Sequence, residues 1–188
     1  MERLCQDKNK PFKIAIVGGG ASGIYCALNI LKLFKDSSFS NFILTIFDKG
    51  QILRTILPTG NGRCNLSNNI LDYKEFSKNY PRGEKFLYSV FSRYFVYETL
   101  EFFSSIGIDT YVQEDNRIFP KSNSSKDIKD KMLSKLKTYK NVRLENKEIS
   151  NLKELNDFDR IVISVGSKNG DRLIKSTGHN IIPFKKAL

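Results

Sequence analysis

A short apolar run that leads directly into a cluster of glycines is the feature that most constrains this fold. Phe12–Val17 is rich in apolar and β-branched residues and predicts a buried strand. Gly18-Gly19-Gly20-Ala21-Ser22-Gly23 follows, and Ser22–Phe34 has the apolar spacing of a helix. Phe42–Phe47 predicts a second strand, which ends at Asp48. Strand, helix and strand form a βαβ unit with parallel strands, so we predict an α/β fold of the Rossmann type.

The glycines have the Gly-x-Gly-x-x-Gly spacing of dinucleotide-binding loops. In such a loop Gly18 permits a tight turn, Gly20 lets the backbone approach a pyrophosphate, and Gly23 lets the helix pack closely on the strand. The helix N-terminus also offers free N–H groups and the positive end of its dipole to phosphates. Asp48 follows 25 residues after Gly23, near the roughly 20 expected for a carboxylate that binds ribose hydroxyls and disfavours a 2′-phosphate. The pattern therefore predicts FAD or NAD rather than NADP.

A second motif is the polar segment Thr59-Gly60-Asn61-Gly62-Arg63-Cys64-Asn65-Leu66-Ser67-Asn68. Its glycines free backbone N–H groups, which together with Arg63 are able to form an anion-binding nest. Cys64 stands next to Arg63, a position that favours a lowered thiol pKa. A solvent-exposed loop with an incidental thiol explains the same residues equally well. Spacing alone does not decide between these two interpretations.

The rest of the chain continues as alternating elements. We predict that 51–83 is mostly loop and that Glu84–Ser105 is one long helix or two shorter ones. Further expectations are a hairpin at Thr110–Phe119, a helix from Ser124 or Ser125 to about Tyr139, and strands at Asn141–Leu144 and Arg160–Val165. We predict that residues 1–11 form a flexible leader and that residues 12–188 form one domain.

Composition excludes several classes of protein. The chain has 188 residues, of which 40% are hydrophobic and 27% are charged, as in globular proteins. No apolar run approaches the roughly 20 residues that span a bilayer, and no signal peptide is visible, so we expect a cytoplasmic protein without a membrane partner. Three cysteines and one histidine predict neither a disulfide framework nor a metal site.

The net charge of +11 favours anionic partners. The basic residues are spread along the chain, however, and no nucleic-acid-binding motif is present. A basic nucleic-acid-binding protein is therefore the alternative that we rank last.

Four segments in order make the sequence resemble the BaiN-like flavoproteins, the NAD(P)/FAD-dependent oxidoreductases of the aminoacetone oxidase family. They are the glycine cluster, the segment 59–68, Arg117–Ser122, and the stretch from Asn169 to Ile181. The resemblance implies a glutathione-reductase-like FAD-binding domain. It places Gly18, Gly20, Ala21, Ser22 and Gly23 at the pyrophosphate, Asp48 with Lys49 at the adenosine ribose, Thr59, Gly60, Gly62, Arg63, Cys64 and Asn65 near the flavin, and Gly166 where the chain returns over the cofactor.

The chain also departs from that family. It corresponds to the N-terminal half, without the inserted second domain and the C-terminal return, so we expect an incomplete FAD domain. Leu53-Arg54-Thr55 stands where Gly-Arg-Lys is expected, and Ser164-Val165-Gly166-Ser167 replaces an Ala-Thr-Gly-Gly segment.

The implied function is hydride transfer through bound FAD, with NAD(P)H or an organic small molecule as substrate, and no catalytic residue is assigned. A truncated or degenerate, non-catalytic flavoprotein remnant is the first alternative. A complementing chain and a homo-oligomer both stay open as partners.

Overall fold

The computed structural model describes residues 10–35, 37, 39–166, 170, 173–175 and 177–180. The chain divides into two compact units. Unit 1 consists of Met1–Arg54 and Leu136–Leu188, and unit 2 consists of Thr55–Lys135. Most of the predicted leader, and Asn169 and Ile181 of the last family-like segment, lie outside the described residues. The prediction of one domain over 12–188 stays a prediction.

Seven strands and five α-helices have both ends among the described residues, and residues 170 and 173–175 are helical as well. In chain order they are β1 (Phe12–Val17), α1 (Ala21–Lys35), β2 (Phe42–Asp48), β3 (Ser67–Asn68), α2 (Tyr73–Ser77), α3 (Glu84–Phe91), α4 (Val96–Ser105), β4 (Thr110–Val112), β5 (Arg117–Pro120), α5 (Ser125–Lys137), β6 (Val142–Asn146) and β7 (Arg160–Ile163). Two short 3-10 helices, Arg54–Ile56 and Leu152–Leu155, complete the set. No helix in these described ranges is long and apolar enough to cross a membrane.

Unit 1 is built on a parallel sheet of four strands in the order β6-β2-β1-β7. The register places Val17 beside Phe47 of β2 and beside Ile163 of β7. Because the strands are parallel, their carboxyl ends meet at one edge, which lies next to Gly18, Asp48 and Ser164. The order reverses between β1 and β7, and such a switch point is where open α/β sheets bind ligands.

The sheet is covered by apolar side chains on both faces, as a parallel sheet requires. On one face Ala15, Val17 and Phe47 pack in a cluster with Ile149, Leu155 and Leu173. On the other, Ile14 and Ile16 of β1 are buried, since side chains of a strand alternate between faces. The crossover helix α1 contacts β1 and buries an apolar stripe, which comprises Ile24, Ala27, Leu28 and Leu31.

Unit 2 contains a three-stranded antiparallel sheet in the order β3-β5-β4 together with α2, α3, α4 and most of α5. Its α2 begins where the Asp72 side chain accepts hydrogen bonds from the backbone N–H groups of Lys74 and Glu75, at 2.8 and 2.9 Å. The strands β4 and β5 form the predicted hairpin. The segment 51–83 was expected to be mostly loop, and the structure adds α2 and β3 within it.

One helix or two were expected at Glu84–Ser105, and the structure forms two, α3 and α4. Phe95 is extended, with φ −136°, and its N–H donates to Oε2 of Glu98 at 2.8 Å. In a continuous helix the Phe95 N–H would donate to a backbone carbonyl of the preceding turn. Here it donates to the Glu98 side chain instead, and α4 begins at the next residue, Val96.

Candidate nucleotide-binding site

The glycine loop, residues 18–23, connects β1 to α1 at the carboxyl edge of the unit 1 sheet. Gly18 has φ +109°, and its N–H donates to the Phe47 carbonyl at 2.8 Å. A Cβ on Gly18 would lie 2.5 Å from the Ser164 carbonyl oxygen, so only glycine fits there without movement. The turn therefore needs glycine both for its dihedral angle and for its space.

A row of free backbone donors follows that turn. The first helical hydrogen bond of α1 runs from the Ile24 N–H to the Gly20 carbonyl, at 3.0 Å. No described residue accepts a hydrogen bond from the N–H groups of Gly20, Ala21, Ser22 or Gly23. The first turn of α1 also carries no acidic side chain. The free donors of Gly20, Ala21 and Ser22, which are not buried, and the positive end of a 15-residue helix are thus available to an anion at this edge.

Gly23 lets α1 approach the loop closely. A Cβ at this position would lie 1.9 Å from the Gly18 carbonyl oxygen and 2.6 Å from the Ser164 hydroxyl oxygen. Both distances are far below van der Waals contact. The last glycine of the motif therefore sets how near the helix N-terminus lies to the end of β1.

Asp48 braces the glycine loop from the end of β2. Its Oδ2 accepts the Gly19 N–H at 2.6 Å, and its Oδ1 accepts the Gly50 N–H at 2.8 Å. A carboxylate has about four acceptor sites, so each oxygen keeps one for a further donor such as a ribose hydroxyl. Lys49, the next residue, is exposed and pairs with Glu148 at 2.9 Å.

Two residues that sequence reasoning did not assign to the site also hold the loop. Ser164, directly after β7, places its Oγ 2.9 Å from the Gly18 carbonyl oxygen. Leu53 donates its N–H to the Gly19 carbonyl at 2.8 Å and has φ +57°, which is uncommon for a non-glycine residue. For Ser164, the only signal in the sequence was the departure from the Ala-Thr-Gly-Gly pattern. Gly166, two residues further, has φ +76° and is exposed.

In unit 2, the 59–65 loop winds through left-handed backbone conformations. Gly60, Asn61 and Gly62 have φ of 56°, 56° and 80°, and Cys64 has φ 62°. The Thr59 carbonyl holds the turn by accepting from the N–H groups of Gly62 and Cys64, at 3.1 and 3.0 Å. Within the described part of the chain, the N–H groups of Gly60, Asn61 and Asn65 have no acceptor. The loop therefore presents backbone donors, as a nest would.

Arg63 contributes to this loop by bracing it. Its guanidinium lies 4.0 Å from the centroid of the buried Phe119 ring. Its Nε donates to the Gly60 carbonyl at 3.3 Å and its Nη1 donates to Oε1 of Gln113 at 3.0 Å. The guanidinium is thus held by protein groups of unit 2.

The expected lowering of the Cys64 pKa is wrong. Burial raises the pKa of this thiol above its ordinary value, and a hydrogen bond with the Thr59 side chain opposes the shift only in part. The neighbouring guanidinium is directed at Phe119 and Gln113. Cys64 is accordingly a protonated, buried side chain at neutral pH rather than a reactive thiolate.

The predicted site residues are distributed over both units. Gly18, Gly20, Ala21, Ser22, Gly23, Asp48, Lys49 and Gly166 belong to unit 1, and the structure brings the glycine loop and Asp48 together. Thr59, Gly60, Gly62, Arg63, Cys64 and Asn65 belong to unit 2. Their placement near a flavin stays a prediction.

Comparison with protein families identifies a Rossmann domain in this chain. The HI0933-like protein Rossmann domain matches residues 12–184. The chain belongs to this family. The predicted resemblance and the Rossmann-type α/β fold are thereby confirmed.

Two curated proteins are similar to this chain in sequence. A 3-dehydro-bile acid delta(4,6)-reductase of Clostridium scindens is 32% identical over 197 residues, which cover 94% of this chain and 46% of the relative. A ribosomal RNA dihydrouridine synthase of Haemophilus influenzae is 27% identical over 173 residues, which cover 89% of this chain and 40% of the relative. The chain thus spans less than half the length of these relatives.

Proposed function

We propose that this chain binds FAD through the glycine loop and belongs to a flavin-dependent oxidoreductase. The observation that carries the proposal is the row of four free N–H groups at Gly20–Gly23, beside a carboxylate with spare acceptor capacity. Both lie at the carboxyl edge of a parallel sheet, where its strand order reverses. The family match supports a nucleotide-binding Rossmann domain.

Each residue of the loop has a defined task in this proposal. The N–H groups of Gly20, Ala21 and Ser22 bind the pyrophosphate oxygens, since their donors are free and these residues are not deeply buried. Asp48 accepts the adenosine ribose hydroxyls while it keeps its bond to the Gly19 N–H. FAD, when bound, supplies hydride transfer with NAD(P)H or an organic substrate.

The 59–65 loop is proposed to lie at the flavin end of the cofactor. This assignment comes from the family resemblance of Thr59–Asn65, and the free N–H groups of Gly60, Asn61 and Asn65 are suited to polar groups of a ligand. Arg63 would act by keeping the loop in shape, because its guanidinium already contacts Phe119 and Gln113.

The names of the relatives suggest the class of reaction. One is a delta(4,6)-reductase and the other is a synthase of dihydrouridine. Both names describe the addition of hydrogen to a carbon–carbon double bond. We therefore propose an unsaturated organic compound as the substrate class. A flavoprotein that binds FAD without turnover is the alternative. It would retain flavin, but no unsaturated substrate would reoxidise that flavin after a reductant has reduced it.

RNA is a second candidate substrate. It is favoured by the net charge of +11 and by the similarity to a protein named as a ribosomal RNA dihydrouridine synthase. Binding to a uridine-containing oligoribonucleotide should weaken steeply as salt rises, because phosphate contacts release counterions. A mobility shift at physiological ionic strength would support this candidate, and its absence would favour a small-molecule substrate.

Equilibrium dialysis of FAD against the wild-type protein and Gly20→Val tests the proposal. Valine at this position puts a branched side chain where the pyrophosphate approaches, and Gly20 does not have a positive φ that the substitution would strain. We expect FAD binding to be abolished while the far-ultraviolet circular dichroism stays unchanged. Equal FAD affinity in both proteins would refute the phosphate-binding role of the loop.

A further inference from the structure

Two consecutive peptide groups of the glycine loop are held by protein partners, the first at its carbonyl and its N–H and the second at its carbonyl. The Gly18–Gly19 peptide directs its carbonyl at the Ser164 hydroxyl, at 2.9 Å, and its N–H at Oδ2 of Asp48, at 2.6 Å. The carbonyl of the next peptide, Gly19–Gly20, accepts the Leu53 N–H at 2.8 Å. The N–H of that second peptide belongs to Gly20 and is the first free donor of the row. Both planes are therefore fixed before any ligand arrives.

Among these partners, Ser164 has a hydroxyl with one proton and two carbonyls in reach. The Val17 oxygen lies 3.0 Å away and the Gly18 oxygen lies 2.9 Å away. The Val17 carbonyl already accepts the backbone N–H of Ser164 at 2.7 Å. No other described donor reaches the Gly18 carbonyl. Because an unpaired buried carbonyl costs free energy, the hydroxyl proton goes to Gly18.

We propose that Ser164 is a positioning residue, which orients the phosphate-binding donors of the glycine loop by holding the Gly18 carbonyl. This inference rests on the proposed FAD binding and extends it to a residue that stands 146 positions away in the chain from Gly18. The Gly18 carbonyl lies beside Gly23, so its orientation also fixes the space into which the first turn of α1 packs. Ser164 does not itself touch the ligand in this account.

Loss of the hydroxyl has a defined consequence. In Ser164→Ala the Gly18 carbonyl is left without a donor, and rotation of its peptide toward solvent would satisfy it. The same rotation takes the Gly19 N–H away from Asp48, because both groups belong to one planar peptide. The Gly20 N–H then loses its fixed direction. Ligand binding has to order the loop, and the free energy that this ordering costs lowers the affinity. The effect reaches the pyrophosphate without removal of any ligand contact.

The test uses ADP and FAD as probes, since ADP carries the pyrophosphate and adenosine ribose without the flavin. Wild type, Ser164→Ala and Ile163→Val are compared by isothermal titration calorimetry and by urea unfolding. Ile163→Val is the matched control, because it trims an apolar side chain of β7 next to Ser164 and lowers stability without removing a hydrogen bond. We expect Ser164→Ala to weaken both ligands about fivefold, the factor that corresponds to one net hydrogen bond of about 1 kcal/mol, and Ile163→Val to leave both affinities within about twofold.

A second measurement needs no ligand. Proton–nitrogen correlation spectra of the ligand-free proteins report the Gly19 and Gly20 amides directly, and these two signals should move in Ser164→Ala and stay in place in Ile163→Val. Equal affinity losses in the two variants, or unmoved glycine amides in Ser164→Ala, would overturn the positioning role. If the wild-type protein bound neither ADP nor FAD, the proposed function would fail instead, and the amide signals would still decide whether Ser164 orders the loop.

Discussion

Replacing Gly23 with alanine tests the close approach between α1 and the glycine loop. The new Cβ would lie 1.9 Å from the Gly18 carbonyl oxygen, and this oxygen is backbone rather than the end of a flexible side chain. Ordinary carbon–oxygen contacts are about 3.3 Å or longer, so the two atoms must separate by more than 1 Å. Ser164 and Asp48 hold the Gly18–Gly19 peptide at both ends, which resists that shift.

The magnitude follows from two opposing effects. Overpacking of a tightly packed site costs about 1–3 kcal/mol, and the fixed carbonyl places Gly23→Ala at the upper end of that range. Alanine is favoured over glycine inside a helix by about 1 kcal/mol. We therefore expect a net loss of about 2 kcal/mol in the free energy of unfolding. FAD affinity should fall as well, because the first turn of α1 must move away from the loop.

Urea unfolding followed by circular dichroism measures this loss. Gly50→Ala serves as the control, since its Cβ would meet only Oδ1 of Asp48 at an ordinary 3.6 Å and its N–H contact with that carboxylate remains. We expect Gly50→Ala to change the free energy of unfolding by about 0.5 kcal/mol or less. If Gly23→Ala were as stable as Gly50→Ala, the close helix approach that the site requires would not exist.

Three further substitutions or treatments test the same account. Asp48→Ala should lower FAD affinity about tenfold and by more than it lowers folding stability, measured by dialysis and urea unfolding; equal losses would mean a bracing role only. Because burial raises the pKa of Cys64, its alkylation by iodoacetamide at pH 7 should be slower than that of a model thiol, and an equal rate would contradict the burial. Contacts with Lys147 and with backbone N–H groups lower the pKa of Glu154 to about 2, below its unfolded value near 4.5. Glu154→Gln should therefore destabilise the protein at pH 7, with the difference from wild type lost between about pH 4.5 and 2; a difference unchanged at pH 2 would refute this.

The βαβ unit could be predicted from the sequence because its signals are local. Phe12–Val17 is apolar enough to be a buried strand, and the glycines that follow have the spacing that a phosphate-binding turn requires. Asp48 could be assigned because it follows the second strand directly. Each of these features is readable within a few residues, and the structure places the glycine loop and the carboxylate together at one sheet edge.

The contacts of Ser164 and Cys64 could not be predicted in the same way. The partner of Ser164 lies 146 residues away in the chain, and a serine after a strand carries no sign of which carbonyl it meets. For Cys64, adjacency to Arg63 in the sequence suggested an electrostatic effect on the thiol. The fold instead buries the thiol and directs the guanidinium to Phe119, so desolvation determines the direction of the pKa shift.

The division between α3 and α4 shows a similar limit. The apolar spacing of Glu84–Ser105 suits one helix or two, and the choice depends on whether the Phe95 N–H finds the Glu98 side chain. Phe95 and Glu98 are only three residues apart, but their contact competes with the hydrogen bond that the Phe95 N–H would make to a backbone carbonyl within a continuous helix. Helical periodicity alone does not reveal which of the two is formed.

The most direct test of the central claim is the visible absorption spectrum of the purified protein after addition of FAD and desalting. If the glycine loop and Asp48 bind the cofactor as proposed, the wild-type protein retains flavin close to one equivalent, while Gly20→Val treated in the same way is colourless. A colourless wild-type protein, or equal flavin retention in both proteins, would contradict the claim that this loop is an FAD-binding site.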